Sequence, residues 1–214
     1  MTMISIEPTL QRKKKHSIGA KRILDVSLTA LGLLAIWPVL LMISVAVAST
    51  SRGPVFFVQT RVGRDGRTFR MLKFRSMYQD AEKRRAEVTS MSDRDGLCLK
   101  VKCDPRITHV GRFIRRWSLD ELPQLFNVLR GDMSLVGPRP ALVDEVAAYP
   151  NYAHGRHEVL PGITGLWQVS GRADIGFEEM IALDLDYVRR SSVGTDVRIL
   201  FRTFLAVIGG KGAY

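Results

Sequence analysis

Between Val26 and Ser51 the chain carries no charged side chain. Such a stretch is long enough to span a bilayer, which takes about 20 apolar residues. Pro38 interrupts it midway. A proline there removes a backbone donor and crowds the preceding turn, at about 3 kcal/mol in a regular helix. Both flanks are basic: Arg12, Lys13, Lys14, Lys15, Lys21 and Arg22 precede the stretch, and Arg52, Arg61, Arg64, Arg67 and Arg70 follow it. A single span concentrates positive charge on its cytoplasmic side. Charge on both sides fits a re-entrant hairpin with both ends in the cytoplasm. Each arm of about a dozen residues is ~20 Å long, too short to cross alone. Carbonyls freed at Pro38 then need partners within the protein. Trp37 fits a hairpin apex poorly, because Trp favours the interface. A single-pass anchor with a proline kink stands as the alternative; the charge pattern tips the balance toward the hairpin.

The rest of the 214 residues is enough for one modest domain with its own core. The formal charge of +11, from 32 Lys and Arg against 21 Asp and Glu, calls for an anionic partner. Anionic lipid is one candidate for the Arg12–Arg22 cluster, worth ~1 kcal/mol per cation near the surface. Two cysteines, Cys98 and Cys103, make no disulfide framework and fit a reducing compartment. With His109 the only histidine near them, they do not form a zinc site of familiar spacing. The N-terminal region reads as an uncleaved segment, since its apolar stretch is too long for a signal peptide.

Three segments follow: a basic tail over 1–19, the helix–break–helix hairpin over 20–52, and a catalytic domain over 53–214 carrying interfacial amphipathic helices. The fold class is α+β, mainly helical with a small β-hairpin or sheet. Val55–Gln59 and Thr68–Phe74 are β-rich and flank the turn signal Arg64-Asp65-Gly66. Residues 78–90 are polar and helix-compatible, and Asp104-Pro105-Arg106 reads as a turn. Val110, Phe113, Ile114 and Trp117 recur at helical spacing with Arg112, Arg115 and Arg116 interleaved. Val197, Leu200, Phe201, Phe204 and Ile208 form a second stripe beside Arg198 and Arg202. Either stripe faces the core or lies in a membrane interface.

The chemistry concentrates in Ser118-Leu119-Asp120-Glu121, which follows the basic run Arg112, Arg115 and Arg116. Ser118-x-x-Glu121 also fits a capping box, in which Glu121 merely satisfies a backbone donor. Pro123 sits better if the helix starts at Leu119 or Asp120. A carboxylate at a helix N-terminus is held ionised by the dipole, and phosphate is welcome there. Asp120 is then a candidate nucleophile at phosphorus. Asp120 and Glu121 together are candidate ligands for Mg²⁺, which favours hard oxygens. Arg139, between Pro138 and Pro140, has a stiffened backbone suited to gripping phosphate. Lys73-Phe74-Arg75 supplies further cations for charge neutralisation. Pro161–Arg172 is too glycine-rich for a helix and reads as a shaped loop.

These motifs, in this order, resemble the bacterial sugar transferases, the monotopic polyprenyl-phosphate phosphoglycosyl transferases. The resemblance runs from about Lys21 to the C-terminus. It rests on Lys21-Arg22-x-x-Asp25, Lys73–Met77, Asp104–Thr108, Ser118–Gln124, Gly137–Pro140 and Pro161–Arg172. It implies a re-entrant helix kinked at Pro38, where many relatives carry Ser in place of Trp37. It implies that Asp120 attacks the β-phosphate of a UDP-sugar, that UMP leaves, and that polyprenyl phosphate then takes the phosphosugar. Glu121 matches the second residue of the dyad, with Mg²⁺ as cofactor. Lys73, Arg115 and Arg139 match basic site positions, with Arg75 and Arg172 as further phosphate-binding candidates. The loop and the length look like those of exopolysaccharide-initiating members, which points to a UDP-hexose such as galactose or glucose. The place implied is the cytoplasmic face of the bacterial plasma membrane, with a homodimer left open.

Three rival readings remain. Asp184-Leu185-Asp186 is a D-x-D sequence, but within a helix over 177–190 its carboxylates diverge. A basic membrane-tethered adaptor or nucleic-acid binder satisfies the charge, yet no nucleic-acid motif is present and few aromatics interleave the basic runs. His154-x-x-His157 offers a metal pair only on a helix that Pro150 and Gly155 disfavour.

Overall fold

The computed structural model describes residues 8–81, 83–84, 104–171 and 175–208. Helices dominate, with two small two-stranded sheets, as the composition of elements led us to expect. The first helix, α1, runs Pro8–Thr50 over 43 residues with Pro38 inside it. Helix takes in part of the basic N-terminal segment. The expected break is corrected: the helical backbone continues through Pro38. The fixed φ of proline is close to the helical value, so one missing donor need not end the helix.

Both halves of α1 dock on the same globular domain. At its start, Lys21 Nζ donates to the Val136 carbonyl (3.0 Å) and to Asp196 (2.7 Å). Arg22 donates to the carbonyls of Val128 and Leu129, and Asp25 accepts from the Leu135 amide at 3.1 Å. At its end, Ile43 and Val47 pack with Phe74 and Ile114. Between them Leu31, Leu34, Trp37 and Leu41 are exposed.

Strands β1 (Phe56–Val62) and β2 (Thr68–Phe74) pair antiparallel, with Val62 opposite Thr68. The expected turn joins them; Asp65 (φ 57°) and Gly66 (φ 74°) adopt its left-handed positions. Helix α2 (His109–Arg116) starts at Thr108, whose side chain accepts from the Gly111 amide. A 3-10 turn at Leu119–Glu121 leads into α3 (Gln124–Arg130). Asn127, fully buried, ties α3 to β2 through the Leu72 amide and the Arg70 carbonyl.

Strand β3 (Ser134–Val136) is followed by α4 (Val143–Ala147) and a 3-10 segment, Asn151–Glu158. Strand β4 (Gly162–Thr164) pairs parallel with β3. Gly137 and Gly162 make the close approach possible: a Cβ on Gly162 would lie 2.0 Å from the Gly137 nitrogen. Helices α5 (Leu166–Ser170), α6 (Phe177–Arg190) and α7 (Val193–Ile208) complete the described residues; β4 and α5 correct the reading of Pro161–Arg172 as a loop, because its glycines fall at the ends of these two short elements. The buried side chains fall into several small clusters, one around Tyr149, Trp167 and Ile181, another around Val136, Tyr187 and Ile199. The helix expected over 78–90, and both cysteines, lie largely or wholly outside the described residues.

Candidate active site

Asp120 is placed by the short turn between α2 and α3. Ser118 takes a left-handed conformation (φ 54°, ψ 22°) and caps nothing with its side chain. The capping-box reading is therefore overturned. Glu121 instead accepts from Lys73 Nζ at 2.6 Å, reaching across to β2. Pro123 stands just before α3, where its missing N–H has no helical partner to lose.

Hydrogen bonding to Lys73 divides the dyad. Asp120 is 8% exposed. Burial pushes its carboxyl up to about 6, with Lys73 opposing, Glu121 adding and Arg115 opposing again. Desolvation, which the sequence did not show, is thus the largest influence on Asp120, and the cations Lys73 and Arg115 oppose it. For Glu121 burial also acts upward, but Lys73 through charge and hydrogen bond, then Arg139 and Arg115, bring the carboxyl below its ordinary range. Both carboxylates thus sense Lys73 and Arg115.

Four separate segments meet at one cleft. Met71 and Lys73, two apart on β2, line it together as period two requires. Glu121 and Gln124 come from the turn and α3, Arg139 and Pro140 from the loop after β3, and Gly162, Ile163 and Gln168 from the β4–α5 region. The cleft brings Lys73, Glu121 and Arg139 together; Asp120 adjoins Glu121 in the turn, and Arg115 is near enough to act on both carboxylates. Arg75 lies elsewhere. It is buried, and its Nη2 donates to the Ser51 carbonyl at 2.7 Å, at the C-terminal end of α1. A cation there complements the helix dipole. Arg172 lies outside the described residues.

The rival sites resolve into structure. Asp184 forms a buried ion pair with Arg156 (2.6 Å), whereas Asp186 faces outward to Arg190. His157 stacks on Tyr149, and burial, then Arg156 and His154, lower its pKa to about 4. Among the described residues no cluster of three or more ligating side chains is present. Sequence reasoning missed Arg61 and Arg156 as partners of the Arg139 loop. Arg61 read as flanking charge, and Arg156 carried no motif.

The family model described as Bacterial sugar transferase matches residues 16–210. The chain belongs to the bacterial sugar transferases. It is 46% identical over 202 residues to the galactosyl transferase CpsE of Streptococcus agalactiae, covering 94% of this chain and 44% of that protein. It is 39% identical over 199 residues to the exopolysaccharide production protein ExoY of Sinorhizobium fredii, covering 91% and 88%. It is 41% identical over 208 residues to the undecaprenyl-phosphate galactose phosphotransferase of Salmonella typhimurium, covering 94% and 43%. The chain thus spans less than half of some curated sugar transferases it matches and most of ExoY. The matched span contains the dyad, Lys73, Arg115 and Arg139.

Proposed function

We propose that this chain transfers a hexose 1-phosphate from a UDP-hexose to polyprenyl phosphate, releasing UMP and initiating exopolysaccharide or related glycoconjugate assembly. The observation that carries the reading is the buried Asp120 next to Glu121, which Lys73 holds at 2.6 Å in a cleft also lined by Arg139. In the first step an Asp120 oxygen bonds to the β-phosphorus, and the bond from that phosphorus to the bridging oxygen breaks. UMP departs with the electron pair, leaving an aspartyl phosphosugar. In the second step a phosphate oxygen of the lipid bonds to the same phosphorus and frees Asp120. Two steps let one site take a soluble and a membrane-borne anion in turn. Lys73, Arg115 and Arg139 neutralise the phosphate oxygens as charge builds.

Two neighbouring carboxylates fit Mg²⁺, which commonly takes one or two carboxylates and completes its shell with water and substrate phosphates. Asp120 and Glu121 would hold it, and when bound it supplies charge neutralisation on the diphosphate. An apolar groove of about 500 Å³ between α1 and α2, lined by Val39, Met42, Ile43, Val110, Phe113 and Leu119, supports the lipid acceptor. Leu119 adjoins Asp120, so a polyprenyl chain in the groove would bring its phosphate to the nucleophile.

The docking of both halves of α1 on one domain supports a monotopic path, and the basic flanks on both sides of the apolar stretch favour the cytoplasmic face of the plasma membrane. The relatives named UDP-galactose-lipid carrier transferase and UDP-glucose:undecaprenyl-phosphate glucose-1-phosphate transferase, 43% and 42% identical, favour galactose or glucose as the sugar. The test is UMP release in detergent with Mg²⁺, undecaprenyl phosphate and a panel of UDP-sugars. UDP-sugar carrying label in its β-phosphate should mark the wild-type protein and leave Asp120→Asn unmarked. Full turnover by Asp120→Asn would sink the mechanism.

A further inference from the structure

Arg139 sits in a loop whose four successive carbonyls are each taken by a donor from elsewhere in the chain. The Gly162 amide on β4 donates to Pro138 O at 2.9 Å. Arg156 Nη2 donates to Arg139 O at 2.9 Å. Arg61 Nη1 on β1 donates to Pro140 O at 3.1 Å, and the Val62 amide donates to Ala141 O at 2.9 Å. Neither proline has an N–H, so the loop can make few hydrogen bonds of its own. Satisfying buried carbonyls is a general need. Two buried guanidiniums are an unusual means of meeting it.

Both arginines are fixed in turn. Arg156 is 2% exposed and Asp184 is completely buried; Nη2 meets the Asp184 carboxylate at 2.6 Å, and Nη1 donates to the Tyr149 hydroxyl at 2.6 Å. Arg61, 6% exposed, donates to Gln59 Oε1 at 2.6 Å. A buried ion pair adds little stability over apolar packing of the same volume. Asp184 supplies the countercharge, and direction comes from the planar, fixed donors that Arg156 sends to the Tyr149 hydroxyl and the Arg139 carbonyl.

We propose that Arg61 and the Asp184–Arg156 pair are positioning residues that hold the Pro138–Pro140 backbone so that the Arg139 side chain stays aimed into the cleft beside Lys73 and Glu121. The proposal rests on the reading of Arg139 as a phosphate-gripping cation. Bidentate grip depends on orientation, and a displacement of about 1 Å set by a distant side chain can change rates on the order of a hundredfold.

The test is a double-mutant cycle read by titrating UDP, whose diphosphate Arg139 would grip, onto the full chain in detergent. Arg156→Lys keeps the charge facing Asp184 but cannot serve Asp184, Tyr149 and the Arg139 carbonyl in one plane. It should weaken UDP binding about five- to tenfold in the wild-type background and less than about twofold beside Arg139→Ala, because contributions acting through one group are not additive. Arg61→Lys, which loosens the next carbonyl, should behave the same way and serves if thermal unfolding finds Arg156→Lys misfolded. An equal loss in both backgrounds overturns the clamp while leaving Arg139 as a phosphate ligand. Wild-type UDP affinity in Arg139→Ala overturns the reading of Arg139 itself, and the clamp falls with it.

Discussion

At Asp120, burial makes stability and reactivity pull in opposite directions. Its pKa is raised to about 6, so folding favours the protonated acid. That contribution to stability is complete at pH values below the ordinary carboxylate range and is lost as the pH rises through about 6. The nucleophile must be ionised, so the rate of labelled-intermediate formation should fall on acidification through about pH 6, as single-turnover measurements across pH would read. Glu121, whose pKa is lowered, stays ionised over that range. Asp120→Asn should accordingly unfold at a higher temperature than wild type at pH 8, by a free energy on the order of 1–3 kcal/mol, with the difference gone near pH 4. Calorimetry at the two pH values checks this; a variant no more stable at pH 8 would mean the site does not strain the carboxylate. The sequence placed Asp120 and Glu121 together but could not tell their environments apart. Their environments part only once β2 brings Lys73 within hydrogen-bonding distance of Glu121.

At the scale of elements, periodicity located α2 and α7, and turn chemistry located the β-hairpin, because each carries its own apolar repeat or turn signal. Periodicity alone did not decide which way each stripe faces. In α7 the core positions are Ile199 and Asp196, the latter held by Lys21 and Tyr187, while Val197, Phe201 and Phe204 are exposed. In α2, Ile114 packs inward and Phe113 is 60% exposed. Apolar side chains beside exposed Arg198 and Arg202 suit an interfacial helix. With Cys98 and Cys103 replaced by Ser, a polarity-sensitive fluorophore on Phe201→Cys should therefore shift to the blue in anionic vesicles relative to an exposed position away from the face, and Phe204→Glu should reduce that shift while leaving UDP affinity in detergent unchanged. An unshifted emission would assign the face another partner. Arg75 and Arg156 show what local pattern cannot reach. One ends up at the end of a helix more than twenty residues upstream, the other under a loop that precedes it, and only the tertiary fold brings them there.

For the whole molecule, the path of α1 relative to the membrane is the largest open choice, and the contacts of the domain bear on it directly. A straight helix rises 1.5 Å per residue, so Asp25 and Val47 would stand about 33 Å apart along it, close to the thickness of the hydrocarbon core. Yet Asp25 is tied to Leu135 and Val47 packs on Phe74 and Ile114, all in one domain. A domain bearing Asp184, Asp196 and Arg156 in ion pairs, and exposed charge on α2 and α7, does not belong in hydrocarbon. A perpendicular crossing would pull one set of contacts apart. Apolar burial of Ile43 and Val47 and the ion pair of Lys21 both oppose that. Both ends of α1 should then lie on the side of the domain. With Cys98 and Cys103 replaced by Ser, single cysteines at Gly19→Cys and Arg52→Cys in vesicles whose domains face outward should both react with an impermeant maleimide as fully as in detergent. Protection of one position alone would establish a crossing helix, and the docked arrangement of Lys21, Arg22 and Asp25 would have to be abandoned in the membrane.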